Sequence, residues 1–309
     1  MSSSEPSSSA QSSSAQSSSE IFTEHRPLLF TIVYEILGSA ADTEDVLQDS
    51  YIRWSQVDPA EVDNPRAYLA RIASRLALNQ LRTAQRRRED YPGNWLPEPI
   101  QTASDVSDDA VLAESVSIAM LLVLETLSPD ERAVFVLHTV FGYTFPEVAD
   151  MVGKTDVAVR QIAHRARAHV QARRRRFQPE SRTATEVVEK FFAAATSGDI
   201  QGLMDLMSPD VVEISDGGGH VSAARRPVLG PERVARFVLG IARGELAEPT
   251  FELTTCNAQP AMLVRSRGAL EFVLLFDIVD NVIQGLYAVL NPEKLATAHL
   301  SNPLARDKD

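Results

Sequence analysis

The sequence predicts a multidomain protein in which two all-α helical domains precede an α+β domain. Apolar residues recur at helical spacing through the first half of the chain. Two of the predicted helices, residues 64–88 and 157–176, each hold seven arginines and no acidic residue. After Pro179 the pattern changes to helices mixed with β-rich stretches, which indicates the α+β domain. The 309 residues are enough for these three units.

Positive charge is concentrated in the two arginine-rich helices, because the chain as a whole has a net charge of −12. A local excess of arginine suits the phosphate backbone of a nucleic acid, where counterion release supplies much of the affinity. The two helices therefore predict contact with DNA at two separate places.

The composition excludes several other classes of protein. A single cysteine, Cys256, leaves no internal disulfide and no multi-cysteine metal site, and we predict neither a metal nor a cofactor. No apolar run reaches the length of about 18 residues that a membrane span needs. Residues 1–20 contain 12 serines and no Lys or Arg, so we expect a disordered tail rather than a signal peptide. These features predict a cytoplasmic protein with no membrane partner.

The first helical domain is predicted over residues 21–88. Its first helix ends near Gly38, and its second, residues 41–54, has an apolar stripe along one side. The other side of the second helix presents Asp45, Gln48 and Asp49. A polar, acidic face of this kind is either solvated surface or a contact for a partner.

The third helix of this domain begins at Asn64 and Pro65, a capping residue followed by proline at the first helical position. Its apolar residues, including Tyr68, are expected to pack inward. Arg71, Arg75 and Arg82 remain for solvent or for phosphate.

A proline-rich linker is predicted over residues 89–110. Trp95, Leu96 and Pro97 form an apolar anchor on this stiff segment. Two interpretations are open: the tryptophan packs on its own neighbouring helices, or it docks onto another domain or a partner protein.

The second helical domain, residues 111–178, has the pattern of a helix-turn-helix. Capping boxes begin helices at Ser128 and Thr144, and Thr155 caps a basic helix just after Gly153. The start of this last helix presents the residue types that read base edges in a major groove: Thr155, Asp156, Arg160, Gln161, His164 and Arg165. A helical hairpin in a protein that does not bind DNA is the alternative.

The α+β domain is predicted over residues 183–298, followed by a tail over residues 299–309. Helices are expected at 184–195, 200–207 and 230–243, and strands at 211–215, 261–264, 269–279 and 282–290. Asp216, Gly217, Gly218 and Gly219 precede His220. Three interpretations of this segment are open: Asp216 is a general base with His220 as its partner, the segment is a plain turn between strands, or it makes a regulatory contact.

The two helical units resemble the extracytoplasmic-function sigma factors of bacterial RNA polymerase. The resemblance covers residues 21–176 and rests on the segments ADTEDVLQDSYIRW and NPRAYLARIASRLALNQLR and on the helix-turn-helix. It implies an alternative sigma factor that directs promoter-specific transcription and is not itself an enzyme. Its partners would be core RNA polymerase and the −35 and −10 elements of promoter DNA.

The resemblance also implies roles for individual residues. Asp45, Gln48 and Asp49 would contact polymerase, and the helix-turn-helix would read the −35 element. The residues implied for the −10 element are Tyr68, Arg71, Arg75, Asn79 and Arg82.

The order of elements after Pro179 is similar to a cone-shaped SnoaL-like, or nuclear-transport-factor-like, domain. A sigma-J-like subgroup of the same sigma factors carries such an extension with three short motifs. These motifs occur here as Trp95-Leu96-Pro97-Glu98-Pro99, Asp216-Gly217-Gly218-Gly219 and Asn291-Pro292-Glu293-Lys294-Leu295. The resemblance implies regulation of the sigma core in cis, with the three motifs near one another. His220 departs from it, because Lys or Arg is common at that position.

Two functions from other classes remain open at this stage. One is a DNA-binding regulator fused to a small-molecule enzyme of the SnoaL type. The other is a DNA-binding ligand sensor, in which an unidentified small ligand occupies the cavity of the cone.

Overall fold

The computed structural model describes residues 17–102, 109–173, 182–242, 244, 247–298 and 302–306. Most of the predicted tail at residues 1–20, part of the linker and most of residues 299–309 lie outside this range. Within it, no helix combines the length and apolar character that crossing a membrane requires.

The first helical domain consists of α1 (Ser18–Leu37), α2 (Ala40–Trp54) and α3 (Pro65–Glu89), with a short 3-10 turn before α3. Helix α1 begins inside the segment assigned to the serine-rich tail, because Ser17 and Glu20 form a capping box there. Asn64 caps α3 by accepting a hydrogen bond from the backbone N–H of Ala67.

The second helical domain contains α4 (Ala110–Val116), α5 (Ile118–Glu125), α6 (Pro129–Phe135), α7 (Phe145–Val152) and α8 (Asp156–Arg173). Both predicted capping boxes are present, at the starts of α6 and α7. A left-handed residue, Gly153, separates α7 from α8, which gives the expected helix-turn-helix.

The α+β domain is a cone built on one six-stranded sheet with strand order β2-β1-β6-β5-β4-β3. Strands β1 and β6 are parallel, and the other neighbours are antiparallel. The strands are β1 (Met207–Asp216), β2 (Val228–Leu229), β3 (Pro249–Cys256), β4 (Gln259–Ser266), β5 (Ala269–Val279) and β6 (Val282–Val289). The helices are α9 (Arg182–Ser197), α10 (Ile200–Asp205), α11 (Pro231–Ala242) and α12 (Pro292–Leu295). The predicted fold class, two helical domains and an α+β cone, is confirmed.

Several elements of the cone differ from the expectation, and the short β2 and α12 were not predicted. Helix α10 ends at Asp205 rather than Met207, and Pro209 lies within β1 instead of ending a helix. The pairing of β1 with β6 shifts register between Met207 and Val212, a stretch that contains Pro209, and such an irregularity accommodates a residue that has no backbone N–H to donate. Strand β3 was not predicted, because it is an edge strand whose first five residues are all exposed.

A continuous apolar core joins the three domains. One cluster of buried side chains runs from α1 through Leu96 and Ile100 of the linker to Leu263 and Leu275 of the cone. The linker therefore lies between the helices and the sheet, where burial of apolar surface on both sides holds it in place.

Asn257 joins the cone to the linker and to both helical domains. It is fully buried, and its side chain donates to the Tyr34 hydroxyl at 2.7 Å and to the backbone oxygen of Val116 at 2.9 Å. Its side-chain oxygen accepts from the backbone N–H of Ile100 at 3.1 Å. One amide therefore satisfies three buried groups from three parts of the chain.

We expect Asn257→Ala to lower the free energy of unfolding of the full chain by roughly 2–4 kcal/mol, because three buried polar groups lose their partner. Denaturant unfolding followed by circular dichroism measures this change. Asn281→Ala is the matched control, since Asn281 has a similar positive φ (63° against 54°) but is exposed. Equal losses in the two variants would assign the effect to backbone strain and contradict the prediction.

Candidate functional site

The residues predicted to contact polymerase form an exposed face on α2. Asp45, Gln48 and Asp49 are all exposed, because Val46 and Leu47 turn inward to the core. Among the residues that the structure describes, none of the three forms a hydrogen bond or ion pair with another domain, whereas the adjacent Glu44 pairs with Arg26 at 2.6 Å. This acidic face is open to a partner.

The residues predicted for the −10 element lie along one side of α3. Tyr68 packs against Trp54, with ring centroids 5.8 Å apart, and the Arg71 guanidinium lies 4.9 Å from the centre of the Tyr68 ring. Asn79 and Arg82 are exposed about two and three turns beyond Arg71, and Arg82 donates to Asn79 at 3.4 Å. The side therefore offers one aromatic ring and a row of cations.

Acidic residues of the helix-turn-helix domain cover this row of cations. Arg71 and Arg75 both pair with Asp150 of α7 at 3.2 Å, and Arg75 also donates to the Asp150 backbone oxygen at 2.6 Å. Arg82 pairs with Asp130 of α6 at 2.8 Å. Sequence analysis did not find these two aspartates, because nothing in local spacing shows that α3 meets α6 and α7.

The start of α8 faces outward. Thr155, Gln161, His164 and Arg165 are exposed. Asp156 pairs with Arg160 at 3.1 Å within the helix, and the Arg160 guanidinium lies 4.5 Å from the centre of the Phe145 ring. Arg165 is 3.5 Å from Glu131. The predicted recognition residues of α8 thus form ion pairs within their own domain, whereas the arginines of α3 pair with acids of the other helical domain.

The linker is held by a group of residues that we call the linker clamp: Tyr91, Trp95, Asp216, Asn291 and Lys294. Asp216 is fully buried at the end of β1, and its carboxylate accepts four hydrogen bonds. Two of the donors belong to the linker, the Tyr91 hydroxyl at 2.7 Å and the Leu96 backbone N–H at 2.8 Å. The other two are the Gly218 backbone N–H at 3.0 Å and Lys294 Nζ at 2.7 Å.

Two cations enclose the Trp95 ring in the clamp. The Arg88 guanidinium lies 3.7 Å from the ring centre, and Lys294 Nζ lies 4.3 Å from it. Burial lowers the pKa of Lys294, and the nearby Asp216 carboxylate opposes that shift. Lys294 also donates to the backbone oxygen of Leu96. The tryptophan therefore packs both on its neighbouring helix and on the cone, which combines the two interpretations left open by the sequence.

The remaining motif residues position the clamp. Asn291 caps α12 and donates to the Tyr91 hydroxyl at 2.9 Å, with Pro292 at the first helical position and Leu295 buried. Gly218 has a φ of +62°, and a Cβ there would lie 2.4 Å from Asn291 Nδ2. A residue with a side chain at Gly218 would therefore displace Asn291. Gly217 and Gly219 continue the same turn, and Pro97 is buried in the linker.

Glu98 fixes the linker to the first helical domain, a role that sequence analysis did not assign. Its carboxylate accepts from the Ser39 hydroxyl at 2.7 Å and from the Ala41 backbone N–H at 3.0 Å, at the start of α2. The Tyr34 hydroxyl donates to its backbone oxygen at 2.6 Å. Its place inside the Trp95–Pro99 motif was the available signal, since a buried acid between two prolines needs partners.

A second buried ionic group joins the two helical domains. Arg88 and Arg132 both pair with Glu125, and Arg132, 1% exposed, also donates to the Glu35 backbone oxygen at 2.9 Å. Although burial raises the pKa of Glu125, the two arginines hold it below its usual value. Arg88 also donates to the Leu37 backbone oxygen at 2.6 Å. Because the Arg88 guanidinium lies on the Trp95 ring, this ionic group contacts the linker clamp.

The clamp geometry bears on the catalytic interpretation of Asp216. Its carboxylate is fully buried and each of its two oxygens accepts two hydrogen bonds, while the exposed His220 faces Glu293 at 3.7 Å. This arrangement suits a structural carboxylate better than a general base that must reach a substrate.

Comparison with known proteins identifies related chains. The sequence matches the family models of sigma-70 region 2 over residues 21–87 and sigma-70 region 4 over residues 117–170. It is 35% identical over 305 residues to the ECF RNA polymerase sigma factor SigJ of Mycobacterium tuberculosis, covering 92% of this chain and 95% of that protein. It is 29% identical over 284 residues to the probable ECF RNA polymerase sigma factor SigI of the same species, covering 90% and 94%.

The fold agrees with these sequence matches. The crystal structure of the M. tuberculosis extracytoplasmic function sigma factor SigJ has a TM-score of 0.73 with this chain, at 32% identity, and covers 91% of this chain and 99% of that one. Sigma domains and cone are thus shared over nearly the full length. The chain therefore belongs to the extracytoplasmic-function sigma factors of RNA polymerase, with a SnoaL-like cone as its C-terminal domain.

Proposed function

We propose that the described conformation is the closed form of this sigma factor, in which linker and cone hold regions 2 and 4 together. The observation that carries the proposal is the pairing of Arg71 and Arg75 with Asp150 and of Arg82 with Asp130. The arginines that the family resemblance assigns to the −10 element are thereby paired with acids of region 4.

The spacing of the promoter elements requires this form to open. Their names place the −35 and −10 elements about 25 base pairs apart, or about 85 Å along B-DNA at about 3.4 Å per pair. In the closed form Arg75 of region 2 and Asp150 of region 4 are 3.2 Å apart. The protein cannot bind the two elements at the same time until regions 2 and 4 separate.

The linker has the length for this separation only when the clamp releases it. About 20 residues, 90–109, join α3 to α4. Fully extended they span about 70 Å, which together with the width of the domains reaches both elements. In the closed form Tyr91, Leu96 and Glu98 are bonded to the cone or to region 2.

The clamp, rather than the exposed ion pairs, dominates the stability of the closed form. An exposed pair such as Arg75–Asp150 contributes about 0–1 kcal/mol and is screened by salt. The two hydrogen bonds from the linker to the buried Asp216 carboxylate, donated by the Tyr91 hydroxyl and the Leu96 backbone N–H, contribute about 1.5–3 kcal/mol each. Regulation in cis then depends on what loosens the clamp.

The acidic face of α2 supports a separate role in polymerase binding. Asp45, Gln48 and Asp49 are exposed in the closed form, so core polymerase meets them without prior opening. We assign these three residues to polymerase contact and the exposed start of α8 to the −35 element. We assign the protein to the cytoplasm, where polymerase works. In this assignment the cone is regulatory and not an enzyme.

The experiment that tests the sigma function is runoff transcription with purified core polymerase, the full chain and genomic fragments. We expect promoter-specific transcripts, and we expect Asp49→Arg to weaken core binding by about tenfold or more, because a positive charge replaces a negative one in the interface. Glu271→Arg, an equal charge reversal on an exposed position of the cone, is the control. Absence of core binding by the unmodified chain would refute the function.

We expect Trp95→Ala to open the closed form and raise transcript output without changing helix content. The substitution removes the ring that Arg88 and Lys294 share, and each cation–π contact contributes about 0.5–2 kcal/mol. Spin labels at Thr83→Cys and Ala168→Cys, both exposed, report the distance between α3 and α8, since the native Cys256 is buried. Glu89→Ala is the control. Unchanged distance and output would exclude a role of the tryptophan in closure.

We expect the double substitution Asp130→Asn and Asp150→Asn to shift the same label distance by a smaller amount, and only at low ionic strength. The pairs lost are exposed and together contribute about 0.5–2 kcal/mol, which salt screens. Asp205→Asn with Asp210→Asn removes the same charge from the surface of the cone. A shift of equal size at high salt would show that the aspartates act by other means.

A further inference from the structure

The cone contains a cavity of about 350 Å³ on the side of β1 that faces away from the linker. Helices α9 and α11 and the sheet line it, and exposed Ile241 and Phe251 lie at its rim. Its lining is apolar and unusually aromatic, with six phenylalanines: Phe191, Phe192, Phe237, Phe251, Phe272 and Phe276. None of the residues assigned to polymerase or DNA contact lines this space.

One carboxylate, Glu213, points into this apolar cavity. It is 2% exposed, and it is the one charged residue among the described lining residues. The Ser215 hydroxyl donates to its Oε1, whereas its buried Oε2 has no hydrogen-bond partner within the described part of the chain. Burial raises the pKa of Glu213 to about 7, with the Ser215 hydrogen bond opposing the shift.

Burial of a glutamate in such apolar surroundings lowers the stability of the fold, and a purely structural role does not explain this loss. A buried carboxyl oxygen without a donor is destabilising, and leucine at this position would pack among the phenylalanines without that loss. Buried acids that lack a partner and line a cavity are typical of ligand sites.

We propose that the cavity binds a hydrophobic amine, whose ammonium group pairs with the Glu213 carboxylate while its apolar part packs among the phenylalanines. An ammonium supplies the missing donor to Oε2 and neutralises the buried charge. Faces of aromatic rings also attract cations. Anionic ligands are disfavoured, because no described lining residue is basic.

The size of the cavity limits the ligand to about two rings. An engineered cavity of about 150 Å³ in another protein holds one benzene molecule. A volume of about 350 Å³ is roughly twice as large. A bicyclic aromatic or alicyclic amine therefore fills it.

The proposed ligand site lies directly behind the clamp. Glu213 and Asp216 are three residues apart on β1, and this odd spacing directs their side chains to opposite faces. Ser215, which donates to Glu213, accepts from Asn94 of the linker at 3.2 Å through its backbone oxygen. Binding itself, however, is independent of the sigma function and of the proposed closed form.

Isothermal titration of the full chain with three compounds of one shape tests the proposal. They are naphthalen-1-ylmethylamine, naphthalen-1-ylmethanol and naphthalene-1-carboxylate, which present a cation, a neutral hydroxyl and an anion. We expect the amine to bind at least tenfold more tightly than the alcohol, and the carboxylate to bind most weakly. If the unmodified chain binds the amine and the alcohol with equal affinity, or does not bind the amine, the proposal is overturned.

A pair of variants locates the site. Glu213→Gln should remove the preference for the amine while leaving the alcohol's affinity within about threefold. Glu252→Gln, on the exposed edge strand β3, removes an equal charge outside the cavity and should change neither affinity. A preference for the amine that survives in Glu213→Gln would place the binding site elsewhere and refute the assignment.

Discussion

The arrangement of this protein depends on one buried carboxylate. Asp216 is removed from water at the end of β1, so each of its acceptor positions must find a donor. The chain supplies a tyrosine hydroxyl, two backbone N–H groups and a lysine, and two of these four come from the linker. Satisfying this single group therefore gives the linker a defined path between the sheet and the helices, and that path sets where regions 2 and 4 lie.

The path of the linker connects local chemistry to function. Lys294 and Arg88 both contact the Trp95 ring. Arg88 also pairs with Glu125, which pairs in turn with Arg132 between the two sigma regions. A buried charge that loses its partner is destabilising, so a substitution at one residue of this series changes the free energy of its neighbour. The surface ion pairs made by Asp130 and Asp150 are weaker. They neutralise arginines of α3, while the buried groups determine how the domains are arranged.

Much of the fold follows from local signals, since capping boxes at Ser128 and Thr144 and the glycine before Thr155 predict the helix-turn-helix directly. Short motifs also named Asp216, Trp95 and Lys294 as regulatory candidates. Neither kind of signal predicts which donors reach a buried acid, or that α3 meets Asp150 some eighty residues later. Those contacts depend on tertiary packing, and Glu213 was missed because a single acid in a strand looks like a solvent-facing position until the cavity around it is known.

Covalent connection of the cone to the sigma regions has a consequence for stoichiometry. In the proposed mechanism the opening of the linker clamp is a unimolecular step, so the ratio of open to closed molecules does not change with the amount of protein made. A regulator on a separate chain would release its target on dilution and would need matched synthesis, whereas here every copy carries its own. In the proposed mechanism the internal equilibrium is therefore the same for every molecule, whatever the amount of the protein present.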